Sequence, residues 1–189
     1  MKSILKDISN CSICAPFLID GVNPIVSASE KSRIALIGQA PGRIVHETSI
    51  PWDDKSGDRL REWLGVSKEE FYKADLFALV PMGFCYPGKG KSGDLPPRKE
   101  CAPQWHNLLF EKMKNIELTI LIGSYAQNYY LKDRSKRTLT ETVSSFEEYL
   151  PEFIPLPHPS PRNNIWLKKN EWFEEDLIPI LQSRIRRHS

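Results

Sequence analysis

The chain is expected to adopt an α/β fold with a mostly parallel sheet covered by helices on both faces. Four short apolar runs recur along it: "RIALIG" (33–38), "ADLFALVPM" (74–82), "IELTILIG" (116–123) and "EFIPLP" (152–157). They are continuously apolar rather than alternating, which is the pattern of strands buried on both faces. Segments with apolar residues at helical spacing lie between them, and strands alternating with helices build parallel sheets. The 189 residues are expected to form one domain, 1–189, long enough to bury a substantial core.

The first run is a strand bounded by charge before it and by a glycine turn after it. "SGDRLREWLGV" (56–66) then sets Leu60, Trp63 and Leu64 on one helical face, with Ser56 as the expected cap. After the second strand comes the longest piece expected to lack regular structure, around residues 82–100. "ECAPQWHNLLFEKMK" (100–114) and "SYAQNYYLK" (124–132) continue the helical pattern on either side of the third strand. The fourth strand runs into "PLPHPSPRNN" (155–164), where prolines remove backbone donors and fix φ, so neither helix nor central strand is expected. "NEWFEEDLIPILQSRIRRH" (170–188) is amphipathic, and Pro179 is expected to kink or split it.

The net charge of +2 is too small to point to a nucleic-acid partner by itself. No apolar run reaches the length of a membrane span, and the N-terminus lacks the apolar core of a signal peptide. A cytoplasmic monomer without membrane contact is the expectation. In a reducing compartment, four cysteines suggest metal ligation more than disulfides. Cys11 and Cys14 form C-S-I-C, and Cys85 and Cys101 follow with fifteen residues between them. A C-x-x-C pair puts two thiolates within reach of one metal, and two more cysteines complete a tetrahedral set. Cys85 alone also suits a small buried hydrophobe. A redox dithiol fits less well, because the pair does not open a helix after a strand. One four-thiolate site is favoured, and the spacing leaves zinc and a 4Fe–4S cluster both open.

In parallel α/β sheets, sites form at the carboxyl ends of strands. The loops after strands one, two and four are the unusual ones: "GQAPGR" (38–43), "GFCYPGKGKSGDLPPR" (83–98) and "HPSPRNN" (158–164). His158, clamped between Pro157 and Pro159, is either a turn-capping side chain or a rigidly placed hydrogen-bond donor. Gly38 and Gly42 permit a tight turn with exposed amides, suited to an anion or a base edge. A dinucleotide fingerprint is excluded, since no G-x-G-x-x-G occurs. Lys89, Lys91, Arg98 and Lys99 stand among glycines and prolines in a basic loop suited to DNA backbone contacts.

"GQAPG" and "HPSPRN" resemble the two signature loops of the uracil-DNA glycosylase superfamily. The order and spacing of the cysteines is similar to that of its iron–sulfur, thermostable-type members, and the likeness runs from Cys11 to Pro161. It implies a three-layer α/β/α sandwich around a four-stranded, mostly parallel sheet. It also implies a mainly structural 4Fe–4S cluster on Cys11, Cys14, Cys85 and Cys101. The activity implied is hydrolysis of the N-glycosidic bond of uracil or a related deaminated base, in single- or double-stranded DNA, during base-excision repair. His158 would then donate to the departing base as negative charge grows on it, an interaction stronger in the transition state than before it. Gln39 and Ala40 would supply backbone amides to a base pocket completed by Gly38, Pro41, Gly42 and Pro81, with Trp52 stacking on the base. Ser160 would hold a DNA phosphate, while Arg162 and Asn163 would enter the duplex or contact its backbone.

The chain departs from that pattern at two places. Many members position the attacking water with an asparagine or aspartate where this chain has Ala40; the iron–sulfur relatives share the alanine but carry a glutamate in place of Gln39. Relatives read uracil with an asparagine four residues before the third cysteine, and here that residue is Pro81, which has neither a side-chain amide nor an N–H. His46, Glu47, Asp53 and Asp54 are available for water activation or base reading. Two further functions are therefore expected as alternatives: a non-catalytic protein of the same fold that binds DNA or a modified nucleotide, and a zinc-stabilised domain acting on a free nucleoside.

Overall fold

The computed structural model describes residues 1–188. Its strands are β1 (Ile34–Ile37), β2 (Phe77–Leu79), β3 (Lys89–Gly90), β4 (Gly93–Asp94), β5 (Leu118–Ile122) and β6 (Phe153–Leu156). β2, β1, β5 and β6 form one sheet in that order, and every neighbouring pair is parallel. Register places Ile34 beside both Phe77 and Leu118, and Ile120 beside Ile154. The helices are α1 (Lys2–Ser9), α2 (Arg43–Thr48), α3 (Lys55–Leu64), α4 (Lys68–Phe71), α5 (Cys101–Lys112), α6 (Ser124–Leu131), α7 (Leu139–Ser144), α8 (Asn164–Lys169) and α9 (Ile178–Arg186).

Successive strand residues point to opposite faces, so each strand feeds two cores. Ile34, Leu36, Phe77, Leu79, Ile120 and Leu156 pack against Leu60, Trp63 and Leu64 of α3 and Leu181 and Ile185 of α9. Ala35, Ile37, Ala78, Val80 and Leu121 pack against Ile4 and Ile8 of α1, Trp105 and Leu109 of α5 and Ala126 of α6. The result is an α/β/α sandwich around a four-stranded parallel sheet. Pro155 sits inside β6 because β6 is an edge strand, where a missing donor breaks no ladder.

Local details differ from the sequence expectations, each for a physical reason. Asp54, not Ser56, caps α3: its Oδ1 accepts from the Gly57 N–H at 2.8 Å. The proline-rich segment closes into a single 3-10 turn, Pro161–Asn163, which starts on its proline and continues into α8. Residues 82–100 hold the antiparallel hairpin of β3 and β4. The last amphipathic segment is not split at Pro179: a π-helical turn, Phe173–Leu177, runs straight into α9, with Leu177 and Ile178 both in right-handed helical backbone. Pro179 comes two residues after that π-helical turn, and wider turns of this kind are where helices accommodate a missing N–H. Among the described residues no helix is long and apolar enough to cross a membrane.

Candidate active site

The carboxyl ends of β1, β2 and β6 open into a cleft of about 460 Å³. Gly38, Gln39, Ala40, Pro41 and Gly42 line it after β1, and Pro81 after β2. His158, Ser160, Arg162 and Asn163 line it after β6, and Trp52 between α2 and α3. Of the four reserve groups, Asp54 lines the cleft. The others are engaged beside it: His46 Nε2 lies 3.0 Å from the Asp20 carbonyl, Glu47 pairs with Arg43, and Asp53 with Lys68. The β3–β4 hairpin adds Ser92, Gly93, Asp94 and Leu95 as a wall.

The loop carrying His158 is fixed by more than its prolines. The Gly123 N–H and the buried Gln127 side chain both donate to the Leu156 carbonyl, each at 2.9 Å. Asn163 Nδ2 donates to the His158 carbonyl at 2.6 Å, and Arg59 donates to the Ser160 carbonyl at 3.2 Å. Ser160 Oγ accepts from the Arg162 N–H, so this hydroxyl caps its own turn. Arg162 reaches across the cleft mouth and donates to the Ser92 carbonyl at 2.8 Å, tying the loop to the hairpin. Burial holds the His158 imidazole below the usual histidine range, and the Asp54 carboxylate offsets this only in part. The ring is therefore neutral near neutral pH.

Trp52 faces His158 with ring centroids 5.8 Å apart. Its backbone is left-handed, with φ 58°, an uncommon state for a bulky residue. Buried Arg61 holds it there, donating to the Trp52 carbonyl at 3.3 Å while pairing with Asp58 at 2.6 Å. Glycine is required beneath the ring, since a Cβ on Gly38 would come 2.7 Å from Trp52 Cζ2.

Pro81 presents no amide to the cleft, and its carbonyl is already bound. His106 Nε2 lies 3.0 Å from that oxygen, which can only accept, so this nitrogen carries the proton. His106 Nδ1 then accepts from the Tyr130 hydroxyl at 2.6 Å. Burial lowers the His106 pKa to about 4. Arg59, Arg61, His106 and Gln127 support the site without any local motif, so the sequence reading missed them.

Cys11, Cys14, Cys85 and Cys101 line one small cavity, away from the cleft, and none is in a disulfide. The Phe84 N–H donates to Cys101 Sγ at 3.3 Å. Burial raises the Cys14 and Cys85 thiols and pushes Cys101 up to about 12, with the other three thiols adding to the last shift. Among the described residues no three His, Cys, Asp or Glu side chains converge as ligands of a single ion. Four half-buried thiols lining one small cavity nonetheless form a donor set that fits a thiolate-bound centre.

A sequence model of the uracil DNA glycosylase superfamily matches residues 26–182. The chain belongs to that superfamily. It is similar to the type-4 uracil-DNA glycosylase of Thermotoga maritima, at 24% identity over 167 residues that cover 85% of this chain and 81% of that protein. The superfamily match spans every cleft residue named above, whereas Cys11 and Cys14 precede it.

Proposed function

We propose that the chain is a DNA glycosylase that releases uracil or a related deaminated base in base-excision repair, with the cleft as its active site. The observation that carries this reading is His158: a neutral imidazole, on a loop whose carbonyls are held by Gly123, Gln127, Asn163 and Arg59, lining one cleft with the Trp52 ring beside it. Breaking the glycosidic bond sends its electron pair onto the base, and the ring N–H stabilises that charge without having to move into place. Water then adds to the sugar carbon and gives up a proton. Asp54 is the carboxylate placed to accept it, because Oδ1 is occupied by the Gly57 N–H and Oδ2 lies toward Gly42. Trp52 supplies the face on which the extruded base stacks.

Cys11, Cys14, Cys85 and Cys101 are proposed to hold a 4Fe–4S cluster, with zinc as the alternative. Such a centre, when bound, ties the N-terminal segment to the start of α5. Visible charge-transfer absorption in anaerobically purified protein distinguishes the two metals.

Pro81 favours a second reading, a binding protein for DNA or a modified nucleotide that hydrolyses nothing, because no side-chain amide stands at that position to read uracil. Base release from single-stranded and duplex oligonucleotides carrying uracil, hypoxanthine or xanthine separates the two. Release of any of these bases supports the glycosylase and names its substrate. Salt-dependent DNA binding with no release from any substrate supports the binder.

A further inference from the structure

A second concavity, of about 690 Å³, lies next to the cleft and has no part in the chemistry above. Phe17, Leu95 and Tyr125 line it and remain 58%, 41% and 41% exposed, an apolar cluster that a protein leaves in water chiefly where something binds. Four prolines stiffen its walls. Its lining holds two cations, Arg98 and Lys99, and no carboxylate. Arg98 is already paired with Glu100 at 2.6 Å and stands 4.2 Å over the Phe17 ring, so exposed Lys99 is the cation left to meet an anion. The hairpin adds exposed Lys89 and Lys91 nearby.

Position identifies the occupant. Leu95 lines both concavities, so the groove continues the cleft. Tyr125 stands in the first turn of α6, directly after Gly123, whose Cβ position lies 3.9 Å from His158 Cβ. For a strand with one nucleotide in the cleft, this continuation is within reach of the neighbouring nucleotides. Exposed rings beside a cation suit bases that are free to stack, which a duplex does not offer. We infer that the groove is a subsite for unpaired nucleotides flanking the target in single-stranded DNA. The inference rests on the reading of the cleft as the place where the target nucleotide binds.

The test is affinity for an undamaged single-stranded 12-mer (about the reach of one single-strand site) and for the duplex of the same sequence, in wild type, Tyr125→Ala, Tyr125→Phe and Lys99→Ala. Tyr125→Ala is expected to weaken single-strand binding about tenfold, with Tyr125→Phe close to wild type and the duplex little changed. Lys99→Ala is expected to lower the salt slope for the single strand by roughly 0.7. Unchanged single-strand affinity in all three variants overturns the inference, as does an equal loss for both forms of DNA. Binding of an apolar peptide at Tyr125 that does not compete with the oligonucleotide also overturns it. Because undamaged strands are used, failure of the groove is distinguishable from failure of the glycosylase reading. A protein that releases no base yet loses single-strand affinity in Tyr125→Ala keeps the groove and loses the enzyme.

Discussion

Gly57 packs so closely against Trp52 that a methyl group added to it would overlap the Trp52 carbonyl oxygen. The same carbonyl accepts from Arg61, and the ring of Trp52 lies over Gly38. One side chain in the cleft is thus held from three directions in a backbone conformation it would not choose alone. Strain of this kind persists only where the surroundings over-determine it.

Gly57 lies within α3, where replacing glycine by alanine ordinarily stabilises by about 0.5–1 kcal/mol. Gly57→Ala is expected to do the opposite, destabilising by about 2 kcal/mol through overpacking against the Trp52 backbone. Urea unfolding followed by tryptophan fluorescence measures this. A variant as stable as wild type or more so would show that Trp52 is free to move.

His106 makes stability depend on pH. Its folded pKa of about 4 lies below the ordinary histidine value, so the unfolded chain takes up the proton first as pH falls. This contribution is therefore complete above about pH 6.5 and is lost progressively toward pH 4, amounting to about 1.4 kcal/mol by pH 5.5. His106→Gln keeps a donor for the Pro81 carbonyl but cannot titrate. Its unfolding free energy is expected to change less between pH 7.5 and 5.5 than that of wild type, by about that amount. Parallel pH curves for the two proteins would contradict the assignment.

The four thiols face a single cavity, so loss of one should affect them all. If the proposed centre is present, Cys85→Ser and Cys101→Ser are each expected to abolish metal binding, whether iron or zinc, and to lower the thermal midpoint, and chelation of wild type should do the same. Metal analysis beside thermal melting checks it. Full metal content in both variants would show that those cysteines only fill space.

The strands and the three longest helices of the central region were legible because their signal is local. A run such as Ile34–Ile37, buried throughout, needs no partner to be recognised. The cleft loops were legible for a similar reason: prolines and glycines declare a fixed turn wherever they stand. The supports of the site were not. Arg59 meets Ser160 across 101 positions of sequence, and His106 meets Pro81 across 25, so nothing near either residue marks the contact. At α3 the expected cap, Ser56, and the actual one, Asp54, are both good capping residues two positions apart, and only the backbone separates them: Asp54 is the one in extended conformation, with φ −148°. Six-residue α7 presents too little periodicity to mark a helix, whereas α1 does carry a helical pair in Ile4 and Ile8, a signal absent from the sequence expectations.

Whether His158 stabilises a departing base is decided by single-turnover release in wild type and His158→Ala. The substrate is whichever oligonucleotide wild type processes, with DNA affinity measured on the same samples. Release is expected to slow by roughly 100- to 1,000-fold in the variant, with affinity within a few-fold of wild type. Release at an unchanged rate, or no release by wild type from any substrate, would contradict that role.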